Sequence, residues 1–198
     1  VLYIPKFGGG KNANLTKRLI GQIKSGDWDA VVIPHQAIDK IAFSEETLKA
    51  IKNDELEAIK ENIRTIADEE AEKSGKSRDV EELEEKDFEL TDEDKAAIKD
   101  KGKGKKSGGK FLGDRTRRAM LQYKAFLLTL QQQAENYDKP DYIPFETMGI
   151  DALLVDECHV FKKAPKITKR QVKGVDTQTS KAGIKMSCLT DYINMKNN

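Results

Sequence analysis

Residues 150–163 read IDALLVDECHVFKK, and the fold turns on how the border between their apolar and acidic parts is read. Ala152, Leu153, Leu154 and Val155 form an apolar run long enough for a buried strand of the kind that parallel sheets cover on both faces. Asp156 and Glu157 follow at once, where such a strand would emerge into a loop. Carboxylates at the carboxyl edge of a parallel sheet face the crevice in which nucleotides bind. The competing reading is a strand that simply ends in acidic residues, so the flanking sequence has to decide.

Upstream, DWDAVVIPH at residues 27–35 is an Asp-led apolar run closed by a polar turn; downstream, Phe161, Lys162 and Lys163 follow the acidic pair. Asp156-Glu157-Cys158-His159 resembles the DExH box of superfamily-2 helicases. Together with the upstream block and Gly149-Ile150-Asp151-Ala152-Leu153-Leu154-Val155, it is similar to the Swi/Snf-like ATPase region of large phage, plasmid and conjugative-element proteins, which often also carry a DNA adenine methylase. The resemblance implies a RecA-like lobe that uses ATP and magnesium and acts on DNA. In that family magnesium-assisted phosphoryl transfer takes one carboxylate to hold the hydrated cation and another to orient or deprotonate water. Asp156 would hold magnesium through water, Glu157 would activate the attacking water, and His159 would transmit nucleotide state. Cys158 departs from the commoner alanine, a small-for-small change.

Two other chemistries find less support. A catalytic thiol at Cys158 would need His159 beside it, yet adjacent side chains at a strand end point apart. Zinc would need ligand spacing that two cysteines and two histidines without CxxC or HxxxH do not supply.

The chain lacks the other half of a nucleotide site. A Walker A loop, G-x-x-x-x-G-K-[ST], cradles phosphates with backbone N–H groups and a lysine. FGGGKN at residues 7–12 is the one candidate and fails twice: Pro5 stands where the first glycine belongs, and Asn12 replaces the magnesium-ligating hydroxyl. A glycine loop after a strand at residues 1–4 is the better reading. The Thr-Gly-Thr-Pro segment that follows the DExH box in the family is absent too. The expectation is therefore an internal fragment, inactive alone, whose cofactors bind only in an intact parent.

Composition agrees with a lean, highly charged chain: 198 residues, 37% hydrophobic, 35% charged, net charge +1. No apolar stretch approaches the roughly 18–20 residues needed to cross a bilayer, and two cysteines at unrelated positions suggest a reducing compartment. A cytoplasmic protein, bacterial or phage-encoded, is expected.

Three segments follow: residues 1–43 and 139–198 as parts of one RecA-like lobe, and residues 44–138 as an insertion. After Phe43 as staple and Ser44 as N-cap, a helix places Leu48, Ile51, Leu56, Ile59, Ile63 and Ile66 largely on one face. A second helix at about residues 116–136 carries Met120, Tyr123, Leu127, Leu130 and Ala134, broadened by Leu121, Phe126 and Leu128. Two such stripes predict an antiparallel helical hairpin. Thr91 would cap a short helix to residue 98. Lys99 opens a Lys/Gly/Ser tract, near residues 99–110, expected to be disordered because it cannot bury enough apolar area. A last helix at residues 180–195 is capped by Ser180, with Ile184, Leu189 and Ile193 inward.

Lys162, Lys163, Lys166, Lys169, Arg170 and Lys173 form a basic run after the acidic pair. By the resemblance this stretch and His35 lie near passing DNA, gripping phosphates without reading bases; a hydrogen-bonded turn histidine is the structural alternative for His35. The tract lysines with Arg115, Arg117 and Arg118 are either DNA contacts or a solvated linker. Trp28 reads as packing. The predicted fold class is thus α/β, a partial RecA-like parallel sheet of about three strands (residues 1–4, 30–33 and 152–155) with an inserted helical hairpin. The alternative is a non-catalytic helical-hairpin module that binds protein or nucleic acid.

Overall fold

The structure, a computed structural model, describes residues 1–3, 13–74, 83–99, 113–140, 142–164, 167 and 179–197. Among the described residues the chain is mainly helical, with two short pairs of parallel strands, and is α/β in that coarse sense. It divides into two compact units, and the divisions fall inside two continuous helices, after Lys52 and after Thr129.

The first unit comprises Val1–Lys52, Leu130–Ala164 and Ser180–Asn198. Strand β1 (Leu2–Tyr3) pairs in parallel with β2 (Val31–Val32), Leu2 opposite Val31 and Tyr3 opposite Val32. A parallel pair needs a long crossover, and helix α1 (Ala13–Ser25) lies on it. Trp28 folds back over the end of α1: a β-carbon on Gly26 would lie 2.0 Å from its indole nitrogen, which donates to the Gln22 carbonyl at 2.9 Å. A 3-10 turn (His35–Lys40) then leads into β3 (Ile41–Ala42), parallel to β4 (Ile143–Pro144).

Helix α2 (Glu45–Ser74) begins where the sequence places it. The Thr47 N–H donates to Ser44 Oγ at 3.2 Å, the buried Phe43 and Leu48 occupy the staple positions, and Glu45 and Glu46 suit the positive helix end. The Glu146 carboxylate adds a second cap, accepting from the Ser44 N–H at 2.7 Å. The core of this unit gathers three rings, Phe43, Phe145 and Tyr192, with centroids 5.5–5.7 Å apart, beside buried Ile41, Ile143 and the inner face of helix α5 (Lys181–Asn197).

The second unit, Asn53–Thr129 with Pro165–Thr179, holds most of α2, the 3-10 turn Glu85–Phe88, helix α3 (Asp92–Lys99) and the first part of helix α4 (Asp114–Asn136). Its two long helices run in opposite directions. Glu70, late in α2, meets Arg115 and Thr116 at the start of α4, whereas Lys60 and Tyr123, earlier and later respectively, both face the Phe88 ring. Buried Ile59, Ile63, Ile66, Met120, Tyr123 and Phe126 lie on the predicted stripes, whereas Leu121, expected to broaden the second, is 44% exposed. Thr91 caps α3, accepting from the Asp94 N–H at 3.2 Å. The Lys/Gly/Ser tract after Lys99 lies outside the described residues.

Residues 30–33 and the start of the chain do pair, but residues 152–155 form no strand, so the expected three-stranded sheet is a two-stranded pair here. Leu154 is 99% exposed. An apolar run supplies the inclination to extend, but a ladder also needs a neighbour, and neither pair of strands provides one to this segment. No helix among the described residues is long and apolar enough to cross a membrane.

Candidate functional site

Asp156 and Glu157 occupy a turn between residues 151–155, which form no helix or strand, and the 3-10 turn Cys158–Phe161. Glu157 has φ 50° and ψ 41°, and among the described residues it alone combines a side chain with positive φ. A left-handed conformation costs a side-chain-bearing residue roughly 1–2 kcal/mol, and such strain tends to collect where geometry serves a function. Two contacts hold it. The Glu157 N–H donates to Asp156 Oδ1 at 2.9 Å, and Glu157 Oε2 lies 2.9 Å from His159 Nδ1.

Both carboxylates and the imidazole face solvent. The turn is tied to the body by Phe161, which is buried and meets the His35 ring edge-on at 5.1 Å. His35 opens the turn that follows β2. The acidic pair thus leads into a short turn whose Phe161 meets His35, in the turn that follows β2.

Helix α5 packs against both short turns. Lys185 Nζ donates to the carbonyls of Ile38, Asp39 and Ile41 at 3.3, 2.5 and 3.2 Å, closing the His35–Lys40 turn. Burial pushes this ammonium down to about 8, with Asp39 pulling the other way. The Ser180 N–H donates to the Lys163 carbonyl at 2.9 Å, and a β-carbon on Gly183 would come within 2.2 Å of that oxygen. Further along, Lys52 Nζ, fully buried, bonds Ser187 Oγ at 2.6 Å and pairs with Asp191 at 2.5 Å.

Of the residues singled out in the sequence, Asp156, Glu157 and His159 come together and His35 stands behind them through Phe161. Lys162 is exposed, and Lys163 is half buried against α5. Lys166, Lys169, Arg170 and Lys173 lie outside the described residues. Sequence reasoning missed Gly183 and Lys185. A glycine inside a helical pattern was the available signal, because it often marks a close backbone approach.

Cys158 is exposed and Cys188 buried, so the thiols occupy different environments. Among the described residues no three His, Cys, Asp or Glu side chains gather as a metal cage. Compared with known proteins, the chain matches no protein-family model, no curated protein and no solved structure.

Proposed function

We propose that this chain is the Walker B-bearing part of the ATPase core of a superfamily-2, Swi/Snf-like DNA helicase or translocase. The observation that carries the proposal is the Asp156–Glu157 turn, strained at Glu157, bonded to His159 and seated through Phe161 beside the end of β2. On this reading β1 and β2 belong to the first RecA-like lobe, and α2 with α4 is a hairpin inserted in it.

Two solvent-facing carboxylates, with no third protein ligand among the described residues, suit magnesium, which keeps several waters and shares substrate phosphates, better than a metal needing a complete protein cage. Asp156 would hold it through water. Bound magnesium would supply charge stabilisation at the phosphates. Glu157 orients the attacking water and accepts its proton, while His159 fixes the Glu157 carboxylate. Lys162, Lys163, Lys166, Lys169 and Arg170 contribute phosphate contacts to DNA.

The chain contains no Walker A loop, so the phosphate cradle must come from elsewhere in the parent. The test compares ATP hydrolysis by these 198 residues with that of a longer polypeptide carrying a Walker A loop. DNA-stimulated turnover by the longer protein and none by the chain is the expected result. Turnover by the chain alone refutes the division of the site.

A further inference from the structure

The parallel register that sets Ile41 opposite Ile143 also brings together Lys40 and Tyr142, the residues just before them. Lys40 Nζ lies over the Tyr142 ring, 5.2 Å from its centre. A second ammonium reaches the same ring from helix α5. Lys185 Nζ stands 6.0 Å from the ring centre while donating to the carbonyls of Ile38, Asp39 and Ile41. Lys181, the first residue of α5, precedes Lys185 by one helical turn on the same face. Its charge acts on the Lys185 ammonium, as does that of Lys40.

Three ammonium groups thus gather about one tyrosine. Against them stand the Asp39 carboxylate and, more weakly, the Cys188 thiol. Among the described residues neither Lys40 nor Lys181 has an ion-pair partner. Lys40 is half-buried and Lys181 exposed, so a ligand can reach both. Like charges one helical turn apart repel, and the positive end of the helix dipole adds to their potential. A small dianion relieves that repulsion, and lysine is a point-charge partner for phosphate. We propose that Lys40, Lys181 and Lys185, ranged about Tyr142 at the start of α5, form a binding site for a phosphate group. Lys40 and Lys181 meet the phosphate oxygens, while Lys185 stays on its three carbonyls and contributes its charge. The phosphodiester of a nucleic acid and the phosphate of a free compound offer the same chemistry. The site does not require Glu157 to be catalytic.

The test uses the full chain with two separate probes, inorganic phosphate and a short DNA duplex. Phosphate binding is read from the rise it causes in the thermal midpoint, and DNA binding from titration at several salt concentrations. Lys40→Gln combined with Lys181→Gln keeps the length of both side chains and removes their charge. It should weaken binding about tenfold or more, as the loss of charge-assisted contacts does. The probe whose binding the double variant loses names the source. Loss of DNA, with about one unit of log–log salt slope per lysine removed, marks a nucleic acid; loss of inorganic phosphate alone marks a free phosphate compound. A second readout needs no variant. Burial pushes Lys185 down to about 8, and a nearby anion favours its charged form. Its side-chain resonances, followed by NMR through pH, should therefore titrate higher with the bound probe than without. Binding of neither probe, binding undiminished in the double variant, or a Lys185 titration unmoved by a bound probe overturns the site.

Discussion

Gly183 lies so close to Lys163 that a β-carbon on the glycine would sit 2.2 Å from the lysine carbonyl oxygen. The approach fixes the start of α5 against the segment following the acidic turn, and it explains a glycine inside a helix where alanine has the better propensity. Gly183→Ala should destabilise the protein by about 1–3 kcal/mol through overpacking. Gly21 in α1 has nothing within 4 Å of its would-be β-carbon, so Gly21→Ala should stabilise by about 0.5–1 kcal/mol. Urea denaturation of the two variants side by side checks both, and a stabilising Gly183→Ala would contradict the packing described.

Glu70 caps a helix far from it in sequence. Its carboxylate accepts the Arg115 and Thr116 N–H groups at 3.0 Å each and the Thr116 hydroxyl at 2.7 Å, at the positive end of α4. Burial raises its carboxyl, but the Thr116 and Arg115 bonds outweigh burial and leave it below its ordinary value of 4.5. A depressed carboxylate stabilises the fold above its unfolded value, and that contribution fades as pH falls through the folded one. Glu70→Ala should therefore lose about 1 kcal/mol at neutral pH, with the gap to wild type closing in acid below about 4.5. Chemical denaturation at pH 7 and pH 3 measures this; a gap that persists in acid would mean the charge is not what caps α4.

Lys185 gives the opposite limb of the pH profile. Asp39, Lys40, Lys181, Cys188 and the Tyr142 ring surround its ammonium, and burial outweighs the Asp39 attraction, so it titrates near 8 in the fold against an ordinary 10.5. Between those values the unfolded chain binds a proton that the folded chain does not, and stability contributed by this site rises with pH. Comparing wild type with Lys185→Met removes the other titrating groups from view. The wild-type advantage should grow from about pH 8 to about pH 10, and a flat difference would contradict the assignment.

Much of the helical framework was legible because helices announce their ends and faces locally. Ser44, Thr91 and Ser180 each cap the helix predicted after them, and the apolar spacing around Ile63 and Tyr123 gives the buried stripes. The strands were less legible. β3 and β4 are two residues each, with Pro144 in one of them, too short for any periodicity to show. Residues 152–155 have the composition of a strand but lack a neighbouring ladder, which composition cannot supply. At the site, Asp156, Glu157 and His159 stood out as a motif. The grips of Gly183 and Lys185 did not, because each is a side-chain or backbone contact to residues far away in sequence.

The central claim is that Glu157 is the water-activating carboxylate of an ATPase. Glu157→Gln, made in a longer parent that carries the phosphate-binding loop, keeps the shape of the side chain and removes its basicity. ATP binding should stay near the wild-type level while steady-state hydrolysis falls by about 100-fold or more, the usual contribution of a positioned base. Hydrolysis undiminished in Glu157→Gln would contradict the account.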